Sequence, residues 1–337
     1  MQRARSAHDP QLDSRLLSSS PAFNAAIELV TRYAECAAPI LIVGESGTGK
    51  ELVARAAHYM GPRRDCPFIP VNCGAIPDAL IESELFGHAR GAFTDAGRAR
   101  RGLVREAHGG TLFLDEIEAL SSRGQVALLR FLQDASFRSV GEDRSQYADA
   151  RIVAASNVDL RRSAQLGSFR SDLFFRLDVL TVRLPPLRER LEDLDLLVPS
   201  LLRSAALATD GSPKDISHRA LNLLRSFDWP GNVRELEHTL LRAHLMSSDA
   251  CIDVNALLAS APALADAASQ KGVAAGSATL REAKRSATCC VERQFVEEAL
   301  AGANGNISEA ARRCHMQRAS MSKLVKKYGL SASPARR

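Results

Sequence analysis

The segment of this chain best equipped for chemistry is GESGTGKE, comprising Gly44, Glu45, Ser46, Gly47, Thr48, Gly49, Lys50 and Glu51. Its glycines let the backbone curl until successive N–H groups point at phosphate oxygens. Lys50 adds a point charge for the β- and γ-phosphates, and a following helix N-terminus adds its positive dipole. Glu51 stands where a Ser or Thr touches magnesium in the generic pattern, so metal contact rests elsewhere or on that carboxylate. Further on, the apolar run Thr111–Leu114 ends in Asp115 and Glu116. A strand-end Asp orients Mg2+ through water, and the next Glu polarises the water that attacks the γ-phosphate. The two segments together predict hydrolysis of a nucleoside triphosphate, with ATP and Mg2+ as cofactors.

Such groups need a scaffold that holds loops at strand ends. Apolar β-rich runs, PILIV, FIPVN, TLFLDEI and RIVAASN, alternate with helical patterns such as ELVARAAHYM. That alternation predicts an α/β fold, a parallel sheet covered by helices. After residue 183 the strands are expected to stop and helical patterns such as HRALNLLRSF to take over. The expected organisation is a short segment 1–19, an α/β ATPase core 20–183, a helical lid 184–258, an Ala/Gly/Ser-rich flexible linker 259–279 and a small all-α domain 280–337.

The 337 residues, 45% apolar and 25% charged, suit a globular chain of about two domains. No run reaches the ~18 apolar residues of a membrane span, and the polar N-terminal twenty residues lack a secretory signal's apolar block. No membrane insertion and a cytoplasmic location are expected. The seven cysteines, Cys36, Cys66, Cys73, Cys251, Cys289, Cys290 and Cys314, form neither a C-x-x-C pair nor a zinc-ligand pattern. Residues 281–337 hold twelve Lys/Arg against five Asp/Glu, which leaves −2 for the rest of a chain of net charge +5. A basic tail on a near-neutral body suggests a module that binds a polyanion.

GESGTGKELVARAAH, VNCGAIPDALIESELFGHARGAFTDA, GGTLFLDEIEAL, FRSDLFFRL, LPPLRER and WPGNVRELEH, in that order, resemble the bacterial enhancer-binding proteins, the AAA+ activators of sigma-54 RNA polymerase. The glutamate after Lys50 is usual in that family. The resemblance implies an AAA+ P-loop ATPase core with a helical lid. It implies that Asn72 restrains the catalytic Glu116, that Asn157 is the sensor I residue and Arg234 sensor II, and that Arg170 and Arg176 are the pair supplying an arginine finger to the neighbouring subunit. It also implies a ring, a hexamer in action and a dimer at rest, whose loop Gly91, Ala92, Phe93, Thr94, Asp95 and Ala96 grips sigma-54 in the RNA polymerase holoenzyme. The consensus loop has Gly where this chain has Asp95, a change that adds a negative charge and removes a permissive backbone position.

Residues 291–330 resemble the Fis-type helix-turn-helix that ends these activators and binds upstream enhancer DNA. Ile307, Ala310, Ala311 and Cys314 would face inward from one helix, and Met321, Leu324 and Val325 from the next. Arg318, Ser320, Ser322, Lys323, Lys326 and Lys327 would face DNA. His315 replaces the family's turn glycine, and Ser322 an aromatic. The roughly twenty residues before the core are too few for a receiver or ligand-binding domain, so control by a separate regulatory protein acting in trans, or by the protein's own abundance, is expected. The alternatives are a DNA-binding regulator whose AAA+ domain no longer engages sigma-54, and a remodelling AAA+ protein with no promoter role.

Overall fold

The computed structural model describes residues 18–92, 98–247, 249–261, 264, 295–296, 299–300, 303, 305–314 and 316–327, with 326 and 327 described by their backbone alone. Five strands, β1 (Ile40–Val43), β2 (Phe68–Asn72), β3 (Thr111–Asp115), β4 (Arg151–Ser156) and β5 (Leu180–Arg183), pair in parallel in the order β2-β3-β4-β1-β5. Pro70 is confined to the edge strand β2, where a missing N–H breaks no ladder on the open side.

The inner strands are apolar at consecutive positions because both faces of the sheet are covered. Ile40 and Ile42 of β1 point to one side, where they meet Phe23, Val30, Val53 and Ala57 of the helices Pro21–Ala34 and Lys50–Tyr59. Leu41, with Leu112 and Leu114 of β3, points to the other, against Leu128 and Phe131 of the helix Ser122–Asp134. All six residues of β4 are buried. Its first residue, Arg151, is a buried cation that donates to the carbonyls of Ala34 at 2.8 Å and Tyr33 at 2.5 Å, where a helix end is negative.

The helical lid begins with Leu194–Ala208 and continues through His218–Arg225, Asn232–Met246 and Val254–Ser260. Trp229 is fully buried there, and its Nε1–H donates to the Leu224 carbonyl at 2.8 Å. The expectation that strands stop after residue 183 needs correction. Asp215–Ile216 pairs in parallel with Cys251–Ile252. Two residues carry too short a period for sequence to register, and the pairing exists because the lid brings the ends of distant helices together. The last lid helix runs to Ser260, two residues into the stretch read as linker.

A separate compact unit begins at residue 268. Its described helices are Ile307–Arg313 and Arg318–Lys327. Asn306 caps the first, its Oδ1 accepting from the N–H groups of Ser308 and Glu309. Ala310, Ala311, Met321 and Val325 are buried together with Val296 and Leu300, and Ile307, Cys314 and Leu324 pack beside them. Among the described residues no helix is long and apolar enough to cross a membrane, and no His, Cys, Asp and Glu cluster has metal-binding form.

Candidate nucleotide-hydrolysis site

The carboxyl ends of β1, β3 and β4 converge because the three strands are neighbours in parallel register, with Val43 opposite Ser156 and Leu114 opposite Ala154. The loop that leaves each strand is therefore delivered to one rim. The glycine-rich loop leaves β1 with its first N–H, from Gly44, donated to the Ser156 carbonyl at 3.2 Å. Gly49 then starts the helix Lys50–Tyr59 at φ 102°, a conformation that side chains resist. Lys50 is buried, and its ammonium donates to the carbonyls of Gly44 at 2.7 Å and Glu45 at 3.1 Å. Burial pulls its pKa below the usual lysine value, opposed first by Asp115 and then by Glu118. Glu51 is paired with Arg55, accepting from its Nε and a terminal nitrogen at 3.0 and 2.8 Å, and both line the same cavity as Lys50.

Asp115 is half-buried at the end of β3, and burial raises its pKa above the usual carboxylate value. Its Oδ1 accepts the N–H of Glu116 at 3.0 Å. Glu116 sits at φ 53°, a left-handed conformation that costs a non-glycine residue ~1 kcal/mol or more and is typical of functional positions. Its carboxylate lies on Gly74, where a Cβ would be 2.4 Å from Glu116 Oε2. Asn72 builds that turn by accepting from the N–H groups of Gly74 at 2.8 Å and Ala75 at 3.1 Å. Among the described residues Asn72 and Glu116 share no hydrogen bond, so Asn72 meets the Glu116 carboxylate through the Gly74 turn rather than directly. Beneath it the Cys73 thiol is buried, and burial pushes its pKa up to about 12, leaving it inert.

Asn157 and Arg234 reach the same cavity. It encloses about 510 Å³ and is lined by Gly47, Lys50, Asp115, Glu116, Asn157 and Arg234 among others. Arg234 also donates to Ser46 Oγ at 3.3 Å. Its charged lining, the cations Lys50, Arg55 and Arg234 beside the carboxylates Glu51, Asp115, Glu116 and Glu237, suits a metal-bridged polyphosphate, and the volume suits a nucleotide.

Three residues from beyond β5 reach this loop, and sequence reasoning assigned them no part in it. The guanidinium of Arg188 grips both Glu45 oxygens at 2.9 and 2.7 Å, which holds that carboxyl below its usual pKa. Arg190, buried over the ring of Phe23, donates to the Thr48 carbonyl at 2.9 Å. Asn232 donates to the Ser46 carbonyl at 2.9 Å, while its Oδ1 accepts from Leu187 N–H at 2.7 Å. The strings LPPLRER and WPGNVREL that contain them were visible, but their target lies more than 140 positions away.

Arg170 and Arg176 do not join the cavity. Arg170 is exposed and grips Asp172 at 3.0 and 2.7 Å, and Arg176 donates to the Leu132 carbonyl. Phe93, Thr94, Asp95 and Ala96 lie outside the described residues. The chain flanking them pairs as a short ladder, Gly87–His88 with Arg100–Arg101, and is tied to the hairpin Ser136–Tyr147 through Ala89 N–H to the Val140 carbonyl at 2.9 Å. In the C-terminal unit Arg318, Ser320, Ser322 and Lys323 are exposed on the second helix. The side chains of Lys326 and Lys327 lie outside the described residues.

Residues 16–183 match the family described as Sigma-54 interaction domain, and residues 188–273 match the AAA+ ATPase lid domain. The response regulator protein PilR of Pseudomonas aeruginosa is 42% identical over 327 residues, 96% of this chain and 72% of that protein. The Nif-specific regulatory protein of Enterobacter agglomerans is 46% identical over 244 residues, 72% of this chain and 47% of that protein. The transcriptional regulatory protein XylR of Pseudomonas putida is 39% identical over 328 residues, 94% of this chain and 57% of that protein. The chain thus spans about half the length of the latter two. NtrX from Brucella abortus, solved in complex with ATP, superposes with a TM-score of 0.67 at 31% identity, covering 93% of this chain and 69% of that one.

Proposed function

The chain belongs to the sigma-54-dependent AAA+ activators and carries their ATPase, and from that premise we propose that ATP turnover in a ring of its copies remodels the closed sigma-54 RNA polymerase promoter complex into the open one. The observation that carries this reading is the division of the charged groups. Lys50, Asp115, Glu116, Asn157 and Arg234 share one cavity, whereas Arg170 and Arg176 stay outside it. With Arg170 and Arg176 outside the cavity of their own subunit, a second copy would supply the arginine finger, which makes hydrolysis a property of the assembly.

In this reading the loop amides and Lys50 bind the triphosphate. Asp115 and its bound water would hold Mg2+, which supplies charge neutralisation when bound. Glu116 takes a proton from the attacking water, and Asn157 and Arg234 report on the γ-phosphate from the two sides of the cleft. An arginine from the neighbouring copy meets the charge that develops in the transition state. The loop 91–96 carries Phe93 and Thr94 to sigma-54, and its described flank is bonded to the hairpin Ser136–Tyr147, whose strands lie on the chain path from Glu116 to Asn157. The C-terminal helices hold the ring near upstream DNA through Arg318, Ser320, Ser322, Lys323, Lys326 and Lys327, in a cytoplasmic setting.

Gel filtration of the full chain with sigma-54, with and without ADP–aluminium fluoride, tests the reading. A large complex that forms only with the analogue supports it. A nucleotide-dependent ring that leaves sigma-54 free would favour a DNA-binding regulator that has lost sigma-54 contact, and an Asp95→Gly variant would then show whether that residue is the cause.

A further inference from the structure

Glu118 takes no part in binding or hydrolysing the nucleotide in the reading proposed for this cleft, yet it touches one of the residues that does. It lies in the 3₁₀ turn Ile117–Ala119 that Glu116 opens. Its Oε1 accepts the backbone N–H of Asn157 at 3.2 Å, across 39 positions of chain. Its Oε2 is buried and has no hydrogen-bond partner among the described residues. A carboxylate oxygen withdrawn from water without a partner is costly, and such atoms persist where something else requires the side chain to be there.

The far side of the contact is equally defined. Strand β4 ends at Ser156, whose hydroxyl donates to the Val158 carbonyl and accepts the Val158 N–H. These bonds close the turn on itself but leave the Asn157 N–H outside it, and Glu118 takes that N–H. The charge of Glu118 also favours the charged form of Lys50.

We infer that Glu118 is a positioning residue for hydrolysis: by holding the Asn157 backbone it makes the turn that carries Glu116 and the turn that carries the γ-phosphate sensor move as one body. Glu116 is already in a left-handed conformation at the start of the Glu118 turn, so a shift at either end passes through a single hydrogen bond between adjacent strand ends. The inference rests on reading Glu116 as the base and Asn157 as the sensor.

The test is steady-state ATPase of the full chain with separate measurement of fluorescent ADP binding. Glu118→Gln keeps the acceptor and should turn over within about twofold of the parent. Glu118→Ala lacks it, and Glu118→Asp keeps the charge but is one methylene short. Both should lose about tenfold in kcat with KM and ADP affinity unchanged, and the Asp variant carries the test if the Ala variant does not fold. Glu118→Asp combined with Asn157→Ala should be no slower than Asn157→Ala alone, because residues acting as one unit are non-additive. Full-rate Glu118→Asp, a Gln variant as slow as the Asp variant, or multiplicative losses in the double variant would each overturn the inference. Asn157→Ala at full rate would instead remove the sensor reading on which it stands, so the two failures are distinguishable.

Discussion

Asn232 and Glu45 lie 187 positions apart, and the amide of the first donates to the carboxylate of the second at 3.2 Å. The same side chain bonds the Ser46 carbonyl and the Leu187 N–H, so one buried asparagine joins the phosphate loop, the start of the lid and the helix that carries Arg234. Asn232 adopts φ 52°, which asparagine tolerates better than most residues. Asn232→Gly and Asn232→Ala both remove the three bonds, and each should weaken ATP binding about tenfold, ~1.4 kcal/mol. Alanine adds a Cβ in the left-handed region, so its melting point should fall below that of the glycine variant, by ~1 kcal/mol of stability. Equal melting points would show that the backbone there relaxes freely.

Glu116→Gln should bind nucleotide as the parent does and hydrolyse it at least ~100-fold more slowly, the usual scale for a lost general base. Gly74→Ala reaches the same carboxylate from the opposite side. Its Cβ would stand 2.4 Å from Glu116 Oε2, and the flexible carboxylate rather than the backbone would yield. Its expected signature is a normal fold, normal ADP affinity and a kcat reduced about tenfold. A Gly74→Ala enzyme at full rate would mean that the displaced carboxylate still reaches the water.

Mixing separates cis from trans action. Lys50→Ala cannot bind the triphosphate, and Arg170→Ala with Arg176→Ala cannot supply a finger. Each preparation should be nearly inactive alone. Combined, they should recover a measurable fraction of parental turnover, because some cavities then pair an intact loop with an intact arginine from the next copy. No recovery, with mixed assembly shown by crosslinking, would place the arginines' role within their own subunit.

Stability should fall as the solution is acidified. His58 is buried between the loop helix and β3, with Nδ1 2.9 Å from Thr111 Oγ1, and burial above all lowers its pKa. Above about pH 6.5 both folded and unfolded states are neutral and the residue adds no pH dependence. Below it the unfolded chain takes up a proton that the folded one refuses. Stability then drops by up to ~1.4 kcal/mol per pH unit until the folded state is protonated too. Denaturant titrations at pH 7.5 and 5.5 should show this loss, and His58→Gln should reduce it. His244 shifts in the same direction, so the slope should shrink rather than vanish.

The parts legible in the sequence are those whose chemistry is local. Gly44–Glu51 must curl because its glycines permit it, and it must open a helix because ELVARAAHYM has helical spacing. Asp115 and Glu116 announce themselves at the end of an apolar run. The inner faces of the two C-terminal helices were likewise readable from helical spacing, and Ala310, Ala311, Met321 and Val325 are buried as that spacing requires. The small ladders at residues 87–101, 136–147 and 215–252 were not readable, since two or three residues carry no detectable period and their pairing is set by partners brought near from elsewhere.

The sequence by itself therefore determined the composition of the site: a phosphate loop, the two acids at the end of β3 and the cations that attend them. Only the tertiary structure decided their mutual restraint. Arg188, Arg190 and Asn232 hold the loop from the lid, Gly74 carries the Glu116 carboxylate, and Glu118 holds Asn157. A glycine-rich string signals its own conformation because sterics act between neighbours. A hydrogen bond between residues tens to hundreds of positions apart leaves no local trace, because it exists only after the sheet has set its strand order and the lid has closed over the strand ends.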